Sequence, residues 1–562
     1  MLNRIAADIK YFSTELASVL FRGGRVFYGW MFFLTFFTVL GAWFYGHQLQ
    51  EGLVLTNMRE QVSWGFYISN FTFLVGIAAA AVILIIPAYL YHFKDIKKIV
   101  VLGELLAVTA VVMAMLFVLA DMGRPERFWH AIPGLGSLNI PRSILGWDMV
   151  VLNGYLVLNL FTALFIGGHR FYGREANKRI VLTLVLISIP AAVAVHTVTA
   201  FVYNGLAARP FWNASILAPR FLASAFCSGP ALMIILFQVL RKRTALNIEN
   251  RSIFHIAEIM AYAMAVNLFL LLAEVFKEYY SDTIHLAPLQ YLFTGLHGHH
   301  ALVPFIWTAL AFNVTAFLIF LLPKTRENLV TLNIGCVLVF IGVWIEKGMG
   351  LIIPGFIPDA LGEIYEYMPS RTELMVSLGI VALGAMIYTF FIRFAIAIDT
   401  GSLRHPAAPP IEEEEQEGVR AKDIMTTTVV TIPPSAIVAD IGEMLVRYRI
   451  SAVAVVNDAA EIIGVVSESD IISKEIHHAP ELRDRLKGMI LPADAVDRGP
   501  AGNTAADIMT SPVITAREDA PLGELIKIIM EKKIKRIFIV DAMQRVKGVI
   551  SRIDIVKVLE HV

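Results

Sequence analysis

Gly103-Glu104-Leu105-Leu106-Ala107-Val108-Thr109-Ala110-Val111-Val112-Met113-Ala114-Met115-Leu116-Phe117-Val118-Leu119-Ala120-Asp121 holds a carboxylate near each end and no charge between them. About 20 such residues cross ~30 Å of hydrocarbon as a helix, which satisfies its own backbone polar groups. Glu104 and Asp121 would stand about 25 Å apart at 1.5 Å per residue, one toward each face of the membrane. Reading outward, similar apolar runs occupy 28–47, 65–91, 98–120, 146–168, 180–204, 217–240, 254–276, 300–322, 330–352 and 372–398. The expected fold is therefore an all-α polytopic membrane domain over 1–398 with about ten transmembrane helices.

Composition agrees. Hydrophobic residues make up 57% of the 562 and charged residues 17%, with a mean hydropathy of +0.66. This excludes an ordinary soluble chain. A formal net charge of zero gives no attraction for a polyanion, so no nucleic-acid partner is expected. The two cysteines, Cys227 and Cys336, lie in apolar runs without a CxxC pair. No iron–sulfur cluster or disulfide is expected in this chain. Residues 1–25 lack the pattern of a removable signal peptide.

Lysines and arginines set the orientation. Arg22, Arg25, Lys94, Lys97, Arg170, Arg174, Lys178, Arg241, Lys242 and Lys324 fall in the loops of one side. That side is expected to be cytoplasmic in an inner membrane, with both termini inside. The outer loop 121–145 departs from the rule through Arg124, Arg127 and Arg142. An internal repeat pairs Glu104 and Asp121 with Glu258 and Glu274 at an offset of roughly four helices. Helices 2–5 and 6–9 then form two four-helix units with one flanking helix at each end, an arrangement that often places a site between halves.

An ionisable residue inside a span costs about 2.5–3.5 kcal/mol on insertion and is a functional candidate by default. Its bland alternative is helix-to-helix glue. Glu104 is a proton-path candidate on this ground. Asp148, Tyr155 and Asn159 fall on one helical stripe expected to face the interior. In the outer loop, Asp121-Met122-Gly123-Arg124-Pro125-Glu126-Arg127-Phe128-Trp129-His130 leads through Pro133-Gly134 to Trp147-Asp148. A quinol needs an apolar slot and two proton acceptors, and a neutral His with a carboxylate suits that task. Arg124 is placed to hold Asp121 or Asp148 ionised. The alternative is an interfacial belt of Trp and Arg that anchors helices.

With Val62-Ser63-Trp64-Gly65-Phe66-Tyr67-Ile68-Ser69-Asn70-Phe71-Thr72-Phe73, Gly103-Glu104-Leu105-Leu106, and Ser143-Ile144-Leu145-Gly146-Trp147-Asp148, these stretches resemble the NrfD/PsrC family. That family comprises quinone-interacting membrane subunits of polysulfide-reductase-like complexes. Ten spans are closer to its DsrP/HmcC type. The resemblance implies a quinone or menaquinone substrate and no haem or cluster in this chain. It also implies a ferredoxin-like iron–sulfur partner subunit at the outer face, or a multihaem cytochrome c. Carried over by position, the quinone pocket would use His130 and Asp148, with Asp121 and Arg124 beside them. A b-type cytochrome would need paired helical histidines at matched depth, whereas only His196 lies well inside a span. His285, His297, His299 and His300 have no acidic or cysteine companion at metal-site spacing.

After Asp399 the pattern changes. A linker at 399–418 carries Pro406, Pro409, Pro410 and Glu412-Glu413-Glu414-Glu415. Beyond it, Asp423-Ile424-Met425-Thr426 … Gly464-Val465-Val466-Ser467-Glu468-Ser469-Asp470 is repeated as Asp507-Ile508-Met509-Thr510 … Gly548-Val549-Ile550-Ser551-Arg552-Ile553-Asp554. Strand-like runs at 452–456 and 536–540 alternate with amphipathic stretches at 438–448 and 521–533. Residues 419–562 resemble a tandem pair of CBS domains at about 420–475 and 503–560, a cytoplasmic α/β module. The resemblance implies an adenine nucleotide (AMP, ADP or ATP) held by Ser467, Asp470, Ser551 and Asp554, with Arg449, Arg536 and Arg552 as phosphate partners. The bland alternative is a pair of ordinary helix caps. The whole reads as a membrane quinone subunit with a nucleotide-sensing tail. The alternative from another class is a CBS-gated channel or transporter.

Overall fold

The computed structural model describes residues 2–78, 80–90, 99–131, 135–136, 139–244, 246, 248–359, 361–406, 408, 419–472 and 503–561. The chain divides into two compact units, Met1–Pro410 and Ile411–Val562. The run Glu412–Glu415, the lysines at 94–98, and Pro133-Gly134 lie outside the described residues.

In the first unit an N-terminal helix, α1 (Leu2–Phe21), precedes ten helices long and apolar enough to cross a membrane. They are α2 (Arg25–Glu51), α3 (Phe66–Ile85), α4 (Val100–Asp121), α5 (Ile144–Phe171) and α6 (Lys178–Asn204), then α7 (Leu217–Arg243), α8 (Asn250–Ser281), α9 (Val303–Leu321), α10 (Leu329–Phe356) and α11 (Arg371–Asp399). The protein is a multi-pass membrane protein. Helices α3–α6 pack as one group and α7–α10 as another, and the groups meet where α3 and α6 touch α7. The flanking helices α2 and α11 pack on each other and α11 lies against α4. That close approach depends on Gly41 and Gly379, because a Cβ on either would strike the other's backbone. Small residues permit such packing where lipid offers no hydrophobic drive between helices. The two groups are joined through one continuous core that includes Val75, Ala110, Tyr155, Val195, Phe237 and Val339.

Termini explain several boundaries. Ser143 caps α5 by accepting from the Gly146 N–H at 3.1 Å. Ser370 and Glu373 form a reciprocal capping box at α11, which satisfies two otherwise orphaned donors.

The tail holds two three-stranded sheets. In the first, β1 (Thr431–Ile432) runs parallel to β2 (Ala452–Val456), which pairs antiparallel with β3 (Ile462–Ser467). In the second, β4 (Thr515–Arg517), β5 (Arg536–Val540) and β6 (Val546–Ser551) repeat that order. Helices α12 (Val438–Tyr448), α13 (Leu522–Glu531) and α14 (Arg552–His561) cover them. The repeats do not fold as consecutive halves. Thr426 bridges to Val549 of the second sheet, and Thr510 bridges to Val465 of the first. Ala421 belongs to the second core, while Ala505 and Ile508 belong to the first. Gly548 and Gly464 make this exchange possible, since a Cβ there would collide with Met425 and Met509 respectively.

Candidate functional site

The end of the bundle that carries Asp121 gathers carboxylates from three helices, Asp148 and Glu373 buried and Asp121 partly buried. Asp148, in the first turns of α5, is 2% exposed. It accepts a 2.5 Å hydrogen bond from Thr199 Oγ1 of α6. Asp121 closes α4, and its Oδ1 is buried without a hydrogen-bond partner. Glu373 of α11 is fully buried and is held by the N–H groups of Asn57 and Ser370, each at 2.9 Å, and by the Tyr367 hydroxyl. Among the described residues no Lys, Arg or His forms an ion pair with any of the three. A buried carboxylate without a cation is costly; Glu373 offsets that cost through its capping hydrogen bonds, whereas Asp148 has the Thr199 hydroxyl and Asp121 Oδ1 has no hydrogen-bond partner.

Phenols and amides stand around them. Tyr203, one helical turn beyond Thr199, shares a 2.5 Å hydrogen bond with Thr72 and lies within electrostatic reach of both Asp148 and Asp121. Tyr67 donates to Gln48 at 2.6 Å, and Gln48 in turn reaches the Ala120 carbonyl at 2.7 Å. Trp64 stacks on Trp212 with ring centres 5.6 Å apart, and Tyr203 and Phe356 complete an aromatic wall. The expected stripe on α5 does face inward. Tyr155 donates to the Ala78 carbonyl at 3.2 Å, and the Asn159 amide donates to the Tyr155 carbonyl at 2.7 Å.

The outer-loop residues are placed differently from expectation. His130 sits on an exposed 3-10 turn, Pro125–Ala131, and its ring stacks on Trp129 at 3.8 Å. It makes no hydrogen bond to the buried Asp148. Arg124 does not hold Asp121 or Asp148: it faces Glu126 at 3.9 Å, with both side chains largely exposed. The reason is that the turn lies outside the helix packing, where a nearby carboxylate in water competes successfully for the guanidinium. Glu104 is 2% exposed, and its Oε2 has no hydrogen-bond partner. It therefore lies in the interior at the other end of α4.

A second polar cluster was not anticipated. In the α7–α10 group, Arg220 bridges Glu274 and Glu346, the latter at 2.9 Å. Asn313 and Asn267 add hydrogen bonds to Glu346 at 3.0 and 3.3 Å. Lys347 lies 4.0 Å from Glu346 and 5.2 Å above the Phe221 ring. All six side chains are buried. Glu346-Lys347 was legible as an ionisable pair ending an apolar run, but its partner Arg220 lies 126 residues away. The repeat positions have diverged accordingly. Glu274 is neutralised where Asp121 is not, and Glu258 is half-exposed between His255 and Arg326. The histidine loop also gains an acidic neighbour unseen in sequence, since His299 meets Glu366 at 3.5 Å.

In the tail, the N–H and hydroxyl of Ser467 both donate to Asp470 Oδ2, at 2.7 and 2.6 Å. Ser551 and Asp554 repeat this at 2.8 and 2.6 Å. Each pair stands where a strand turns into a helix, so the capping role is present, while the second carboxylate oxygen of each Asp remains for another donor. Arg536 of the second repeat donates to the Ser451 hydroxyl of the first. The pairs expected to contact nucleotide thus occur in duplicate on matched elements.

Residues 54–358 match the family model described as polysulphide reductase, NrfD, and residues 421–477 and 505–561 match that of the CBS domain. A chain of Halobacterium salinarum named for the membrane component of a dimethyl sulfoxide reductase is 26% identical, over 68% of this chain and 94% of its own length. An Hdr-like menaquinol oxidoreductase integral membrane subunit of Archaeoglobus fulgidus is 24% identical over 63% of this chain and 89% of its own. Among solved structures, CBSX2 in complex with AMP is 26% identical, covering 26% of this chain and 98% of that one with a TM-score of 0.20.

Proposed function

This chain belongs to the polysulphide reductase NrfD family and ends in a tandem CBS pair, and from that premise we propose that residues 1–398 oxidise quinol, or reduce quinone, at the Asp121–Asp148 end of the bundle. Related chains are named as membrane subunits of reductases and of a menaquinol oxidoreductase, which supports the substrate class. The observation that carries the reading is the pair of carboxylates at one end of the bundle, Asp148 buried and bonded to Thr199, and Asp121 with a buried Oδ1 that has no hydrogen-bond partner, neither of them in an ion pair among the described residues. Oxidation of a quinol releases two protons and two electrons. Asp148 and Asp121 accept the protons, and Thr199 holds Asp148 in position. The electrons leave to a partner iron–sulfur subunit of the ferredoxin type, or to a multihaem cytochrome c, seated on the exposed turn. There Phe128 and Trp129 are about half exposed, and aromatic residues are favoured at interfaces. His130 stands on the same turn and passes protons to the aqueous side, with the permanently charged Arg124 beside it facing Glu126. Glu104 serves proton movement toward the other face.

The basic loops support a cytoplasmic side for that other face, with both termini and the tail inside an inner membrane. The CBS pair binds an adenine nucleotide. Ser467 and Ser551 meet phosphate oxygens at helix N-termini, where N–H groups point outward. Asp470 and Asp554 accept from the ribose hydroxyls.

The test is purification of the full chain with its partners from its native membrane, followed by menaquinol oxidation in proteoliposomes. Reduction of a copurified iron–sulfur or haem subunit is the expected result. Absence of any redox partner together with nucleotide-dependent ion flux would replace this reading with the channel. For the tail, calorimetry with AMP, ADP and ATP should give heat that is lost in the Asp470→Ala, Asp554→Ala double variant. No heat at millimolar nucleotide refutes the nucleotide assignment.

A further inference from the structure

A cavity lies at the opposite end of the bundle from Asp121 and Asp148. It measures about 280 Å³ and is roofed by α1. Phe12, Leu16 and Leu20, at four-residue intervals along α1, present one helical stripe to it. The first turns of α4 and the last turns of α5 and α11 make its walls. The roof is fastened in two places. The Tyr11 hydroxyl donates to the Arg404 carbonyl at 3.3 Å, and Arg393 donates to the Val19 carbonyl at 2.8 Å. Among the described lining residues only Arg170 and Asp399 carry charge. They form a 2.7 Å ion pair and are nearly half exposed, 46% and 47%, which marks the mouth.

An apolar space of this size does not hold water, which needs two to four polar partners. Left empty, it would forfeit the dispersion contacts that close packing provides. Its natural filling is hydrocarbon, and the bilayer supplies that as acyl chains. The mouth says which kind. A paired guanidinium and carboxylate present both signs side by side. That suits a headgroup carrying both signs better than a purely anionic or a neutral one.

We propose that this cavity seats one acyl chain of a zwitterionic aminophospholipid, its phosphate on Arg170 and its amine on Asp399.

The test uses the full chain in detergent, with phosphatidylethanolamine, phosphatidylglycerol and menaquinone as probes, read by native mass spectrometry. One phosphatidylethanolamine per chain should be retained, bound roughly tenfold or more tighter than phosphatidylglycerol. Ala163→Phe, which fills the cavity, should weaken retention by a similar factor, and Asp399→Asn should abolish the preference between the two phospholipids. A second measurement needs no variant: phosphatidylethanolamine with a photoreactive group at its acyl end should label the segments around Leu160 and Phe391. Preferential retention of menaquinone, retention unchanged in Ala163→Phe, or labelling without enrichment in those segments would overturn the proposal.

Discussion

Thr199 Oγ1 on α6 lies 2.5 Å from Asp148 Oδ1 on α5, and both side chains are buried. The threonine hydroxyl has one proton to give, and it gives it to the carboxylate. Asp148 is therefore fixed in orientation yet keeps acceptor capacity on its other oxygen.

Asp148→Asn should lower quinol-dependent turnover of the assembled complex by about 10²–10⁴-fold, the usual cost of losing one positioned acid or base. Thr199→Val should cost less, because it removes the orienting hydrogen bond and leaves the acceptor. His130→Ala should cost about tenfold or less, because an exposed histidine is replaceable by water as a proton carrier. Stopped-flow menaquinol oxidation by intact complexes decides the order. A larger loss in His130→Ala than in Asp148→Asn would move the proton acceptor to the turn.

Arg220→Met should destabilise the membrane unit by about 3–5 kcal/mol, since it leaves Glu274 and Glu346 buried without their shared cation. Adding Glu274→Met should recover part of that loss, because Glu346 keeps Lys347 as its remaining cation at 4.0 Å. Thermal unfolding in detergent measures both. Equal stability of the single variant and the parent would mean that water reaches the network.

Gly548→Val should destabilise the tail by about 1–3 kcal/mol, as overpacking generally does, because the new side chain meets Met425. Gly442→Ala is the control. It lies within α12 with nothing within 4 Å of a new Cβ, so helix propensity should make it neutral or stabilising by up to about 1 kcal/mol. Urea midpoints of residues 419–562 give the comparison, and a neutral Gly548→Val would refute the exchanged packing.

Glu366 should make one loop contact sensitive to acid. Burial pushes its carboxyl up, but the Ala301 N–H, donating at 2.9 Å, and His299 outweigh this and hold it below the ordinary glutamate range. Its folded pKa lies below its unfolded one. The contact is therefore fully formed above the ordinary range and is lost as pH falls through the lowered value. Exchange of the Ala301 amide, corrected for intrinsic rate, should become less protected only below about pH 4. Glu366→Gln should remove that dependence.

The membrane spans were legible because hydrocarbon imposes one local demand, about 20 apolar residues whose backbone groups pair internally. The strands Ala452–Val456 and Arg536–Val540 were legible for a related reason, since buried β-branched runs flanked by turns have few alternative structures. The inward stripe of Asp148, Tyr155 and Asn159 followed from helical periodicity alone. Proximity across the sequence did not. Nothing local tells Arg220 that its partners are Glu274 and Glu346, or tells Met425 that it belongs over Gly548 in the other repeat. Nothing local distinguishes Asp148, enclosed by α6, from His130 on an exposed turn, though both flank one loop. A helix reports its own faces through spacing. Which neighbour covers each face, and so which ionisable groups lose water and which keep it, is decided only when the helices pack.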